Sequence, residues 1–127
     1  MKSTDLRLGN IAAAIDDPFK PDYVVVLEPG LVYLMGREEA DDEQNIIPVP
    51  VSAEMLATYD IPCDVTFSIA GHEVRICMQE AGDRATLELN GARFDFHYLH
   101  EMQNLIHALC GEDIIRHPHV HIENEAY

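Results

Sequence analysis

Tyr98-Leu-His-Glu-Met-Gln-Asn-Leu-Ile-His-Ala-Leu-Cys-Gly111 is the stretch on which the reading of this chain turns. Leu99, Met102, Leu105, Ile106 and Leu109 recur at helical spacing, and Gly111 stands where a left-handed cap would end the last turn. The spacing predicts an amphipathic helix over 98–110, and such a helix needs an apolar surface to cover. The residues before it supply one. Val65/Phe67/Ile69, Val74/Ile76/Met78, Leu87/Leu89 and Phe94/Phe96 alternate with polar neighbours, the period of strands with one buried face. Turns at Ala70-Gly71, Gly82-Asp83 and Asn90-Gly91 separate them, and Asn-Gly supplies the two positive φ angles of a type I′ turn. An antiparallel meander over 63–97 is expected, with the closing helix across its apolar face.

Upstream, Tyr23-Val-Val-Val-Leu27 and Leu31-Val-Tyr-Leu-Met35 read as a hairpin turning at Pro29-Gly30. Their near-continuous hydrophobicity points to strands buried on both faces, or to a self-association surface of a small homo-oligomer. Arg7 to Ile15 reads as a further strand, against the helical preference of Ala12-Ala-Ala14. Glu38 to Asn45 reads as a charged loop. The prolines of Ile46-Ile-Pro-Val-Pro-Val51 make that segment extended and confine it to an edge or a connector. Ser52 is placed to cap a short helix with Glu54 in its first turn, and Asp60-Ile-Pro62 ends it. The expectation is one α+β domain over 1–127, a meander or small barrel-like sheet packed by a C-terminal helix. Its parts are a β-rich segment 1–51, a short middle helix 52–60, the meander 63–97, the helix 98–110 and a tail 112–127.

Three segments also carry a resemblance. The helix resembles the Y-x-H-x-L-Q-N-L-x-x-A-L-x-G-E signature of small uncharacterised proteins of phages, prophages and mobile elements, especially of Bacteroidetes. Asp5-Leu-Arg-Leu-Gly-Asn10 is similar to that family's E-L-R-I-G-N opening, and Ile47-Pro-Val-Pro-Val-Ser-Ala-Glu-Met-Leu56 to its I-P-L-T-x-E-x-L centre. After Gly9-Asn10 the chain departs from the family, placing Ile11-Ala-Ala-Ala-Ile-Asp-Asp-Pro18 where members continue with an aromatic strand. The resemblance implies a mobile-element origin and a shared fold, and it brings no catalytic residue with it.

Charge bounds the partners. Eight Lys and Arg against 23 Asp and Glu leave a formal net charge of −15, which opposes binding to phosphate backbones and to anionic membranes. The plainest use of such charge is solubility; the sharper one is an acidic face that imitates nucleic acid or docks on a basic protein. Glu38, Glu39, Asp41, Asp42 and Glu43 form the densest acidic run and are the candidate contact. Cys63, Cys77 and Cys110 are odd in number and lack a Cys-x-x-Cys pair, which fits a reducing bacterial cytoplasm rather than a disulfide framework. No signal-peptide h-region and no apolar run of membrane-spanning length is evident.

Catalytic motifs are missing. There is no Gly-x-Ser-x-Gly elbow, no Gly-x-Gly-x-x-Gly or Walker loop, and no His-Glu-x-x-His, since Asn104 stands four residues after His100. His97/Glu101 and His100/Asn104 are i,i+4 pairs, read first as a solvated polar face. The remaining constellation is His117-Pro-His-Val-His121: in a strand, His117, His119 and His121 would share one face and could hold a divalent transition metal, while in a mobile tail they would do nothing. The expected function is therefore non-enzymatic protein–protein binding with no cofactor, in the form of an inhibitor of a host defence or nucleic-acid-binding enzyme. A histidine-dependent metal protein and a structural homo-oligomer are the alternatives.

Overall fold

The computed structural model describes residues 1–80 and 82–115, which divide into two compact units, residues 1–49 and 50–115. The division falls at Val49–Pro50, after the acidic stretch, which lies inside the first unit. The architecture is α+β, with antiparallel strands in two separate sheets.

The first unit is a five-stranded sheet. Its strands are β1 (Ile11–Ala14), β2 (Asp17–Glu28), β3 (Leu31–Leu34), β4 (Asp41–Asp42) and β5 (Ile46–Pro48), in the spatial order β4-β3-β2-β1-β5. The segment Asp5–Asn10 sets its start. Asn10 is fully buried; its Oδ1 accepts from the Arg7 backbone N–H at 2.7 Å, and the Asn10 N–H donates to the Arg7 carbonyl at 3.0 Å. Gly9, at φ 89°, lets the turn close and donates to the Val24 carbonyl. All four residues of β1 are buried, and small side chains suit a strand enclosed on both faces, so tertiary packing overrides alanine's helical preference. The core gathers Leu6, Ala12, Ala14, Val24, Val32, Leu34 and Ile46.

The predicted hairpin at Pro29-Gly30 is present, with Gly30 at φ 80°. Val24 pairs with Leu34 and Leu27 with Val32, while an irregularity between Val24 and Val26 sends Val26 outward beside Tyr33. The expectation that both faces are buried fails here. Val24, Val32 and Leu34 lie in the core, but Val26 stays 46% and Leu31 36% exposed, because only part of the hairpin's apolar surface packs into that core. The stretch 38–45 is likewise more than a loop. Asp41 and Asp42 pair with Val32 and Leu31 as β4, and Glu43–Asn45 forms a 3₁₀ turn, since backbone pairing prevails once Asp41 has found a cation.

The second unit opens with α1 (Ala53–Thr58), where the Ser52 hydroxyl accepts from the Met55 N–H at 3.1 Å, the cap that the sequence places there. Leu56 anchors this helix in the interior. β6 (Thr66–Ile69), β7 (His72–Met78), β8 (Ala85–Leu89) and β9 (Ala92–Phe96) follow as a consecutive meander. Asn90 and Gly91 adopt φ 49° and 89°, and Ala70 and Gly71 adopt φ 51° and 82°, both as two-residue type I′ turns require. Val74, Ile76, Leu87, Leu89 and Phe96 make the buried side.

The helix α2 (Leu99–Cys110) ends at Gly111, which takes the expected left-handed conformation at φ 78°. At its start the Glu101 carboxylate accepts from the backbone N–H groups of His97 and Tyr98 at 2.9 and 3.0 Å. The buried stripe is Leu99, Met102, Gln103 and Ile106. It is narrower than the apolar periodicity predicts, for Leu105 is half-buried and Leu109 is 44% exposed. Replacing Ile106 with Ala should cost about 2–5 kcal/mol, the range for emptying a closed aliphatic site, whereas Leu109→Ala should be nearly neutral. Denaturant melts of the two variants check this; equal losses would place Leu109 in the core.

Candidate functional site

Carboxylates crowd one cleft of the first unit. Chain reversal after β1 leaves Asp16 and Asp17 at the head of β2, and β2 then runs exposed through Pro18-Phe19-Lys20 before Asp22. The β1–β2 register is irregular here, so this segment departs from regular pairing with β1. Phe19 is 96% exposed. Opposite lies the chain leaving β3. Gly36, at φ 85°, passes so close to Asp22 that a Cβ would meet its Oδ2 at 3.0 Å, and conformation and space together call for glycine. The resulting cleft, of about 370 Å³, is lined by Asp17, Lys20, Asp22, Arg37, Glu38 and Asp41 among others.

Arg37 organises this cleft. Its Nε and Nη2 donate to the two carboxylate oxygens of Asp41 at 2.7 and 2.9 Å, and Nη1 reaches Asp16 at 3.2 Å. The hydrogen bonds it donates to Asp41 and then to Asp16 raise the guanidinium above its already high range, so it stays charged. The one arginine of the cleft is thus spent inside the fold, and Lys20 is the other cation lining it. Tyr33 Oη donates to the Glu38 carbonyl at 3.0 Å and fixes the chain where the acidic run begins.

The five acids nominated from the sequence therefore separate into two kinds. Asp41 is held by Arg37. Glu43 accepts from the Ser3 N–H through Oε2 at 2.7 Å, while the N-terminal ammonium donates to the carbonyls of Glu43 and Ile46 at 3.1 and 3.3 Å. These two carboxylates tie the strand order together. Glu38, Glu39 and Asp42 are exposed and enter no ion pair among the described residues. Asp17 and Asp22 line the cleft, and Asp16 reaches it through Arg37, from a segment that the sequence reading left aside; its signal was the Asp16-Asp17 pair next to Pro18.

Other candidate chemistry separates just as clearly. His117, His119 and His121 lie outside the described residues. Among the described residues no group of three or more His, Cys, Asp or Glu could hold a metal ion. The Glu101 carboxylate serves the helix start, bonding the His97 backbone rather than its ring. His100 stacks on Tyr98 with ring centroids 6.0 Å apart. Gln103 is buried, and neither it nor Asn104 is free of partners. On the outer side of β8, Thr86 Oγ1 donates to Asp95 at 2.9 Å, and Gln79 Nε2 donates to both, a closed polar set.

Burial pushes all three thiols above their ordinary range, with Asp64 adding to the shift at Cys63 and Cys77 and Glu112 at Cys110. Thiols held protonated are poor nucleophiles. Iodoacetamide should modify them at neutral pH more slowly than a free cysteine. Because their folded values are raised, the stability they contribute is complete below the ordinary thiol range and is lost as pH climbs from that range through the raised folded values. Alkylation rates and melts across alkaline pH check both; fast labelling at neutral pH would show an activated thiol.

Reversing the three exposed acids, Glu38→Lys, Glu39→Lys and Asp42→Lys, should leave stability within about 0.5 kcal/mol, as surface changes usually do. Asp41→Ala should lower the melting temperature, because it strips Arg37 of its bidentate partner. Thermal melts of the two variants separate these roles, and a melt unchanged by Asp41→Ala would make the ion pair incidental. Compared with protein-family models, with curated proteins and with solved structures, the chain matches none.

Proposed function

We propose that the chain acts without catalysis, by docking the acidic cleft of its first unit against a basic surface of another protein. One observation carries this reading. The carboxylates Asp17, Asp22, Glu38 and Glu39 line a cleft whose arginine is already engaged by Asp41 and Asp16, and Asp17, Glu38 and Glu39 are exposed, so surplus negative charge faces outward. Such a field attracts a cationic partner and accelerates encounter. The exposed Phe19 on the segment bounding the cleft offers an apolar contact within that field, of the kind that anchors interfaces.

An inhibitor that occupies the nucleic-acid groove of a host enzyme is the specific form this reading takes. It agrees with the mobile-element origin that the sequence resemblance implies, and with a bacterial cytoplasmic setting. No helix among the described residues is long and apolar enough to cross a membrane.

The test uses a partner isolated from host cells with the full chain as bait, followed by stopped-flow association with purified protein. Association should slow as ionic strength rises, since exposed charges are screened beyond about 8 Å at physiological salt. It should slow further in the Glu38→Lys, Glu39→Lys, Asp42→Lys variant, and Phe19→Ala should speed dissociation. Binding indifferent to salt and to the charge reversal would make the acidic surface a solubility device and end this reading.

A further inference from the structure

Each sheet has two edges, and three of the four carry a feature that deters strand addition. β4 is two aspartates long. β5 holds Pro48, with Pro50 close behind, and proline has no N–H to donate. β9 presents Arg93 and Asp95, and just beyond it the His97 carbonyl already accepts from the Val51 N–H at 2.8 Å. Charges, prolines and short lengths are the usual protections of an edge.

β6, four residues long, carries neither charge nor proline. Val65-Thr-Phe-Ser-Ile-Ala-Gly71 is a run of seven residues without charge or proline in a chain of net −15. Ile69 and His72 close the two-residue turn and pair directly, so in the antiparallel pattern Phe67 also bonds toward Val74 while Thr66 and Ser68 turn their N–H and C=O groups to the open edge. The Glu73 carbonyl, opposite Ser68, accordingly accepts from Asn90 N–H on its other side. Thr66 and Ser68 are exposed, Phe67 and Ile69 are only half-buried, and Val65 is 51% exposed.

We infer that β6 is a self-association edge, whose occupant is β6 of a second copy of this chain, antiparallel about a two-fold axis at Phe67. The segment is complementary to itself in that register. Thr66 meets Ser68 of the second copy and the reverse, and each such pair exchanges two backbone hydrogen bonds. On the half-buried face Phe67 meets Phe67 and Val65 meets Ile69, closing an apolar strip that one copy leaves incomplete. The next row adds no clash: Arg75 lies beside Thr66 and Glu73 beside Ser68, so across the seam unlike rather than like charges share a row, about 14 Å apart at three strand spacings. The joined meanders form one eight-stranded sheet.

The same geometry sets the strength. A single short strand pair falls below the roughly 1,200 Å² of a stable interface, and the dimer is weak. Asp60, Glu112 and Asp113, which line a cleft of about 300 Å³ beside Phe67 and Ser68, repel their counterparts. Self-association therefore strengthens with added salt, opposite in sign to docking on a basic partner, and it rests on the second unit alone.

Sedimentation velocity of the full chain from micromolar to millimolar concentration, at low and high salt, tests the inference alongside hydrogen exchange. The expected result is a monomer–dimer equilibrium favoured by salt, with the amides of Thr66 and Ser68 gaining protection as the dimer fills. Ser68→Lys, on the exposed face and neutral to folding, should return the chain to monomer, and Thr66→Pro should do so by removing one outward N–H. Val26→Lys, on the exposed face of the β2–β3 hairpin, should leave the dimer intact. A monomer at every concentration and salt, a dimer that survives Ser68→Lys, or one without added protection at Thr66 and Ser68 would overturn it.

Discussion

Scarcity of cations is the constraint to which this fold answers. With 23 carboxylates and eight Lys and Arg, most acids cannot find an ionic partner. The chain uses neutral donors instead. Glu43 accepts from the Ser3 N–H, Asp22 from the Tyr23 N–H, Glu101 from two N–H groups at the start of α2, and Asp95 from a hydroxyl and an amide. Each arrangement satisfies an orphan backbone or side-chain donor while stabilising a charge, so acids do the work of caps and clasps. Arg37 departs from this pattern by holding two aspartates, Asp41 four residues on and Asp16 from the turn before β2, and Arg93 pairs more loosely with Glu88 across the β8–β9 hairpin.

That economy decides which acids remain without an ion pair among the described residues. Carboxylates drawn into caps and clasps stabilise the fold and contribute little free field, whereas Glu38, Glu39 and Asp42 keep theirs. Bonded and free carboxylates thereby fall on neighbouring residues of a single acidic run. A run of identical chemistry in sequence becomes two structurally distinct sets because β4 alternates its side chains across the pleat and the following turn points Glu43 back toward Ser3.

The segments that carry the family resemblance turn out to be joints of the backbone. Asn10 closes a buried turn, Ser52 caps α1, and Glu101 and Gly111 bound α2. Residues of this kind are required by chain geometry whatever the protein does.

Sequence by itself determined the local structure of the second unit and of the hairpin in the first. Alternation in Val74/Ile76 and Leu87/Leu89, the Asn90-Gly91 turn, the Ser52 cap and the Gly111 stop all depend on interactions within a few residues, which is why they were legible. Tertiary structure decided what depends on distant neighbours. Ala12-Ala-Ala14 became strand because both its faces are enclosed, the buried stripe of α2 narrowed to exclude Leu109, and Asp16, Asp17 and Asp22 joined the acidic run because the chain folds back between β1 and β2. The cleft was therefore half legible: its acids could be counted along the chain, but which of them Arg37 would neutralise depended on pairings that only the folded backbone brings within hydrogen-bond reach.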